Sequence, residues 1–222
     1  MVNTQLTQVV DSLTAIGLRD MFPSEVSRLV VHLLRRVAEG RPVALSEAQA
    51  LASQLEVSPD VTDKVIQQMC ERDNAGNIIG LVGLSQNLYG HKFHVNGQQL
   101  STWCALDALF LPMLLQQTAD VIDQCPVTKT PISLTITPDG VATYQPQSTV
   151  VSVVTPQVAA ADLSSVGEIW MAFCNHIHFF RSQEAAHQWF SGKSQTFHIL
   201  SVDDGFTVGR ILFGGMVEQA KV

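Results

Sequence analysis

The sequence predicts an α+β fold: a helical, winged-helix-like region over residues 1–80, then a mixed or antiparallel β-sheet core with flanking helices over 81–222. Two observations carry this. Up to about position 72 the apolar residues recur at the 3.6-residue helical period. Beyond about 81, short β-branched and apolar runs alternate with turn residues, with helical segments set among them.

The elements follow in order. The pattern is helical from Thr4 onward, and Pro23-Ser24 opens a helix whose stripe is Val26, Leu29, Val30, Leu33 and Val37, closed by Gly40 and Pro42. Ser46 starts a second helix that runs to Leu55. A third begins at Ser58-Pro59-Asp60 and runs to Asp73. There Ser58 suits the N-cap, Pro59 sits where a missing N–H costs nothing, and Asp60 favours the dipole. Asp73-Asn74-Ala75-Gly76-Asn77 then reads as a hairpin turn leading into Ile78-Ile79. Three helices, a tight turn between the second and third, and a hairpin make a winged helix-turn-helix pattern. Its candidate recognition helix, 59–73, sets Asp60, Asp63, Glu71 and Asp73 against Lys64 and Arg72, a net charge of −2. A helix that enters the major groove needs Arg or Lys for phosphates and base edges. The region is therefore expected to be a structural cover over the second half.

In that second half, 92–95 and 98–101 form a hairpin about Asn96-Gly97, the strongest two-residue turn signal. A helix is predicted over 102–115 and strands over 119–124, 132–137, 141–144 and 149–154, with Pro138-Asp139-Gly140 as a turn. The stretch 169–180 is apolar and rich in histidine. A helix over 182–190, a strand over 196–200 and a last helix over 203–213 complete the chain.

Composition narrows the function. Of 222 residues, 46% are hydrophobic and 15% charged, so the chain can build a core and is not a disordered one. The net charge of −7, with no basic run to offset it, disfavours nucleic acid and anionic membranes. The longest apolar run, 104–115, contains Asp107 and Pro112 and falls far short of the roughly 18 residues of a membrane span. Met1-Val2-Asn3-Thr4-Gln5 has no basic, apolar secretory pattern, so a soluble, cytoplasmic protein is expected.

The four cysteines, Cys70, Cys104, Cys125 and Cys174, form no Cys-x-x-Cys pair and are expected to be free thiols. With Ser101 or Thr102 as N-cap, Cys104 falls in the first turn of its helix. The dipole there is worth about 0.3–1 kcal/mol and lowers a thiol pKa by about one unit. Asp107, three residues on, shares that helix face at about 5–6 Å. The same spacing also fits a packed cysteine beside an exposed aspartate. Cys174 lies in Phe173-Cys174-Asn175-His176-Ile177-His178-Phe179-Phe180. On a strand, Cys174, His176 and His178 share one face, either as zinc ligands or as core histidines among aromatics. Cys125, before Pro126 at a strand end, reads as structural, and Cys70, on the third helix's apolar stripe, as packing. Trp103 and Phe173, each just before a cysteine, suit the walls of an apolar pocket.

Taken together, Glu39-Gly40-Arg41-Pro42-Val43, Thr102-Trp103-Cys104-Ala105-Leu106-Asp107, Pro138-Asp139-Gly140-Val141, Val150-Val151-Ser152-Val153-Val154, Phe173-Cys174-Asn175 and His178-Phe179-Phe180 resemble the organomercurial (alkylmercury) lyases of bacterial mercury resistance. The likeness runs from about residue 24 to 210. It implies an enzyme that cleaves R–Hg⁺ to a hydrocarbon and Hg(II), with its two mercury-binding thiols at Cys104 and Cys174 and its catalytic carboxylate at Asp107. It places a structural cysteine at Cys125 and assigns no role to Cys70 or His176. It implies no cofactor, external low-molecular-weight thiols for turnover, and mercuric reductase as a recipient of Hg(II). Two other classes remain open: a winged-helix transcriptional regulator sensing Hg or Zn through the cysteines, and a protein that sequesters mercury without turnover.

Overall fold

The structure, a computed structural model, describes residues 4–155, 168, 173–194 and 196–221. Four helices come first: α1 (Thr4–Ala15), α2 (Ser24–Val37), α3 (Leu45–Gln54) and α4 (Pro59–Met69). The stripe of α2 is buried as expected, with Val31 and Leu34 added to it. Ser58 holds the N-cap position of α4, but its side chain caps nothing; its carbonyl instead accepts the Thr62 hydroxyl at 2.9 Å.

The third helix stops at Met69 rather than reaching Asp73. Cys70 is already extended, and β1 (Cys70–Arg72) pairs antiparallel with β2 (Ile78–Leu81). The cause is the turn between them. The Asp73 carboxylate accepts the N–H groups of Ala75 and Asn77 at 2.9 and 2.8 Å, an Asx turn that closes the hairpin and takes the last helical residues into its strand. Cys70 therefore heads a strand rather than lying on a helix.

That hairpin is the edge of an antiparallel sheet of order β1-β2-β3-β5-β4-β6-β7-β8, comprising also β3 (Leu84–Ser85), β4 (His91–Val95), β5 (Gln98–Thr102), β6 (Ala119–Gln124), β7 (Pro131–Thr137) and β8 (Gly140–Gln145). The β4–β5 turn has Asn96 and Gly97 both at positive φ, as a two-residue type I′ turn requires. A smaller sheet sets β9 (Val150–Val154) between β10 (Phe179–Phe180) and β11 (Phe197–Ser201).

The core is organised on α5 (Ala105–Leu115), in which every residue is buried. It packs against α7 (Val202–Gln219), while α6 (Gln183–Phe190) lies on the small sheet. Ser182 and Ser201 cap α6 and α7, accepting the N–H groups of Ala185 and Asp204. The last helix runs past Phe213, where the sequence pattern ended it. Met216 and Val217 keep the buried 3–4 spacing begun at Leu212 and Phe213, and that packing overrides Gly214-Gly215. No described helix is long and apolar enough to cross a membrane.

Candidate active site

Cys104 stands where β5 turns into α5. The pairing of Ser101 and Thr102 with both β3 and β4 keeps the chain extended to Thr102, so the helix cannot begin where the sequence reading placed it. Cys104 is itself the N-cap, with extended φ and ψ of −149° and 172°. Its sulfur accepts the Asp107 N–H, and the Asp107 Oδ2 accepts the Cys104 N–H at 2.9 Å, a reciprocal capping box. Asp107 is thereby folded back onto the thiol and only 9% exposed, not an exposed neighbour.

Cys174 comes from a single 3₁₀ turn, Cys174–His176, and not from a strand. The alternation that would set Cys174, His176 and His178 on one face does not exist there, and residues 169–172 of that apolar stretch lie outside the described residues. The turn is tied from two sides. Ser152 on β9 donates its hydroxyl to the His176 carbonyl and accepts the His178 N–H, both at 3.1 Å. The Ala105 N–H, unpaired within α5, donates to the Ile177 carbonyl at 3.2 Å. One of the helix's own orphan donors thus fixes the second cysteine beside the first.

The result is a compact triad. One ligand atom each from Cys104, Asp107 and Cys174 lie within 4.8 Å of one another, and among the described residues no histidine joins them. His178 turns instead toward His91, the two rings 6.0 Å apart, and burial pushes it down to about 4. His91 Nδ1 meets the Asp123 Oδ2 at 2.7 Å.

Burial sets the electrostatics. It lifts the Cys104 thiol well above its ordinary value, helped by the hydrogen bond that thiol gives Cys174 and by the Asp107 charge. The one-unit lowering expected from the dipole is overwhelmed, because removing a thiolate from water costs more than a helix end returns. At Cys174 the bond from Cys104 favours the thiolate, but burial and the Asp107 charge outweigh it and leave the thiol raised. Burial raises Asp107 to about 7, against the pull of its two bonds with Cys104 and of His91.

The triad lines a half-open apolar cavity. Trp103 and Phe173 wall it, as the sequence suggested, together with Phe110 of α5 and Phe213 of α7. Leu13 of α1 and Leu18, Met21 and Phe22 of the linker 16–23 also line it, so the N-terminal region contributes to the cavity wall. Phe22 meets Phe213 edge-on at 5.8 Å. Cys70 and Cys125 are buried outside the cavity lining. Cys70 is pushed up to about 12 by burial. Burial also acts to raise Cys125, but bonds from the Thr128 hydroxyl and the Arg181, Thr128 and Val127 N–H groups prevail and lower it. Sequence reasoning missed Gly83, Phe22 and the His91–Asp123 pair; only the turn-forming Gly83 carries a local signal.

The family profile for alkylmercury lyase matches residues 84–214. An alkylmercury lyase of Pseudomonas putida is 36% identical over 207 residues, 90% of this chain and 89% of that one. One of Streptomyces lividans is 38% identical, covering 81% of this chain and 79% of its own, and one of Staphylococcus epidermidis is 34% identical, covering 98% and 92%. The fold matches a crystal structure of the mercury-bound form of MerB2 with a TM-score of 0.72 at 24% identity, over 96% of this chain and all of that one. With relatives this similar along most of its length, the chain belongs to the alkylmercury lyase family, enzymes that cleave the carbon–mercury bond.

Proposed function

We propose that Cys104 and Cys174 hold the mercury of an organomercurial R–Hg⁺ while Asp107 carries the proton that releases R–H. The observation that carries this reading is two thiols and a carboxyl with ligand atoms within 4.8 Å of one another, lining an apolar cavity. Mercury is a soft cation and prefers thiolate. Binding drives off the thiol protons that burial otherwise retains. Asp107, at about 7, is suited both to take such a proton and to return it near neutral pH. Two thiolates on one mercury push electron density into the Hg–C bond; its electron pair goes to carbon, which takes the proton from Asp107. The products are R–H and Hg(II) bound to Cys104 and Cys174. Mercury begins and ends as Hg(II), so no redox cofactor is required.

The apolar walls receive the organic group R and exclude water. In a reducing cytoplasm, low-molecular-weight thiols then strip Hg(II) by exchange and pass it onward, mercuric reductase being a suitable recipient. Headspace methane from methylmercury with excess thiol is the test. The reading requires sustained methane release; stoichiometric mercury uptake with no gas would make the protein a sequestering one. Uptake without gas but with specific duplex binding would make it a sensor.

A further inference from the structure

We propose that the Val82-Gly83 turn is a positioning element for the proton carrier, and that the Cβ missing from Gly83 is the space Asp107 occupies. A Cβ built on Gly83 would lie 2.3 Å from the Asp107 Cγ, 2.6 Å from its Oδ1 and 2.7 Å from its Cβ. Rotating the carboxyl group cannot relieve all three contacts, because one is to the Asp107 Cβ. Neither partner is free to withdraw. On the far side of the carboxyl group, Oδ2 holds the Cys104 N–H at 2.9 Å. The turn is fixed by the Trp103 N–H, which donates to the Gly83 carbonyl at 2.8 Å, and by the pairing of Leu84 with Thr102.

The turn itself is unusual. Val82 and Gly83 both have positive φ, +48° and +88°, between paired Leu81 and Leu84. A β-branched residue is strained in that region, and such strain persists only where surrounding structure imposes it. Val82 and Gly83 also line the cavity. The two-residue turn therefore brings bare backbone against the carboxyl group and leaves it one position, folded onto the cap and aimed at the thiols.

This rests on Asp107 as the proton carrier, so Asp107→Asn is run in parallel. The variant is Gly83→Ala, and its control is Gly76→Ala, which has the same backbone demand at φ +86° but nothing within 4 Å of the added Cβ. In single-turnover assays with methylmercury, Gly83→Ala should still capture mercury stoichiometrically, while methane release falls about 10²-fold or more, as for a displaced general acid. Gly76→Ala should release methane at the wild-type rate. Equal rates for the two glycine variants, or loss of capture along with cleavage in Gly83→Ala, would overturn the proposal. A wild-type rate in Asp107→Asn would remove the reading beneath it, and the proposal with it. Thermal melting supplies a second readout that does not depend on catalysis. The drop in Tm from Gly83→Ala should shrink when it is made in an Asp107→Ser background; equal drops in both backgrounds would contradict the packing on which the proposal stands.

Discussion

Cys104 is the N-cap of α5 and the proposed mercury ligand, and a single substitution can separate the two. As the N-cap of α5 it offers a sulfur to the Asp107 N–H, and sulfur is a weaker acceptor than the oxygen of the residues favoured at that position. Cys104→Ser should therefore hold its melting temperature or gain, within the ~0.5–2 kcal/mol that caps are worth. It should nonetheless lose methane release entirely, since a hard hydroxyl does not replace thiolate on mercury. Cys174→Ser should also be inactive. Cys70→Ser, outside the cavity lining, should keep its activity. Cys125→Ser should keep its activity and cost little stability, because the Thr128 hydroxyl and three N–H groups that hold its sulfur can donate to a serine oxygen instead. Melting curves beside headspace assays check all four. Comparable activity in Cys174→Ser would remove the second thiolate from the account.

The element that decides where these residues stand is α5, buried on all sides and seated on α7. Their approach is close at Gly209, where an added Cβ would lie 2.4 Å from the Phe110 Cβ. Gly209→Ala should cost about 1–3 kcal/mol by overpacking, read by urea denaturation. Phe110 also lines the cavity, so activity should fall with it. Most of these elements are legible in the sequence, because the α2 stripe, the Asn96-Gly97 turn and the strands of the large sheet all obey local periods. Two of the misplaced ends share one cause. Met69 and Cys104 are points where strand pairing with distant residues overrides the helical pattern. At Phe213 the local pattern stops at a glycine pair, but packing carries α7 past it. Of the candidate site, its three side chains can be named from motif resemblance. The capping box, the Ser152 tether and the Gly83 contact cannot, since each depends on chain segments far apart in sequence.

At the scale of the whole molecule, a carboxyl group buried beside two thiols makes stability depend on pH. Asp107 titrates at about 7 in the folded chain, above the ~3.9 of an unfolded aspartate. The folded state thus holds a proton that the unfolded chain has shed, and the stabilisation, complete below about 4, is lost as pH rises through about 7. His178, lowered to about 4 from the ~6.5 of free histidine, acts in the opposite sense: its contribution is present above about 6.5 and lost as pH falls through about 4. Asp107→Asn removes only the first effect. The Tm of that variant relative to the original chain should therefore move in the variant's favour between pH 4 and about 8. A constant difference across that range would mean that Asp107 is not held protonated by burial. Charge is also decisive at this scale. With Asp60 and Asp63 against Lys64 on α4 and a net charge of −7, the chain should show no affinity for duplex DNA in a gel-shift assay at physiological salt.

Single-turnover cleavage by Asp107→Asn tests the central claim most directly. Asparagine is nearly isosteric and leaves both thiols in place, but it can neither hold nor deliver an acidic proton. Mixed with methylmercury, the variant should titrate two thiols and bind mercury stoichiometrically, while headspace methane forms about 10²–10⁴-fold more slowly than with the original chain. Methane at the original rate would contradict the account, because the proton would then come from a thiol or from water.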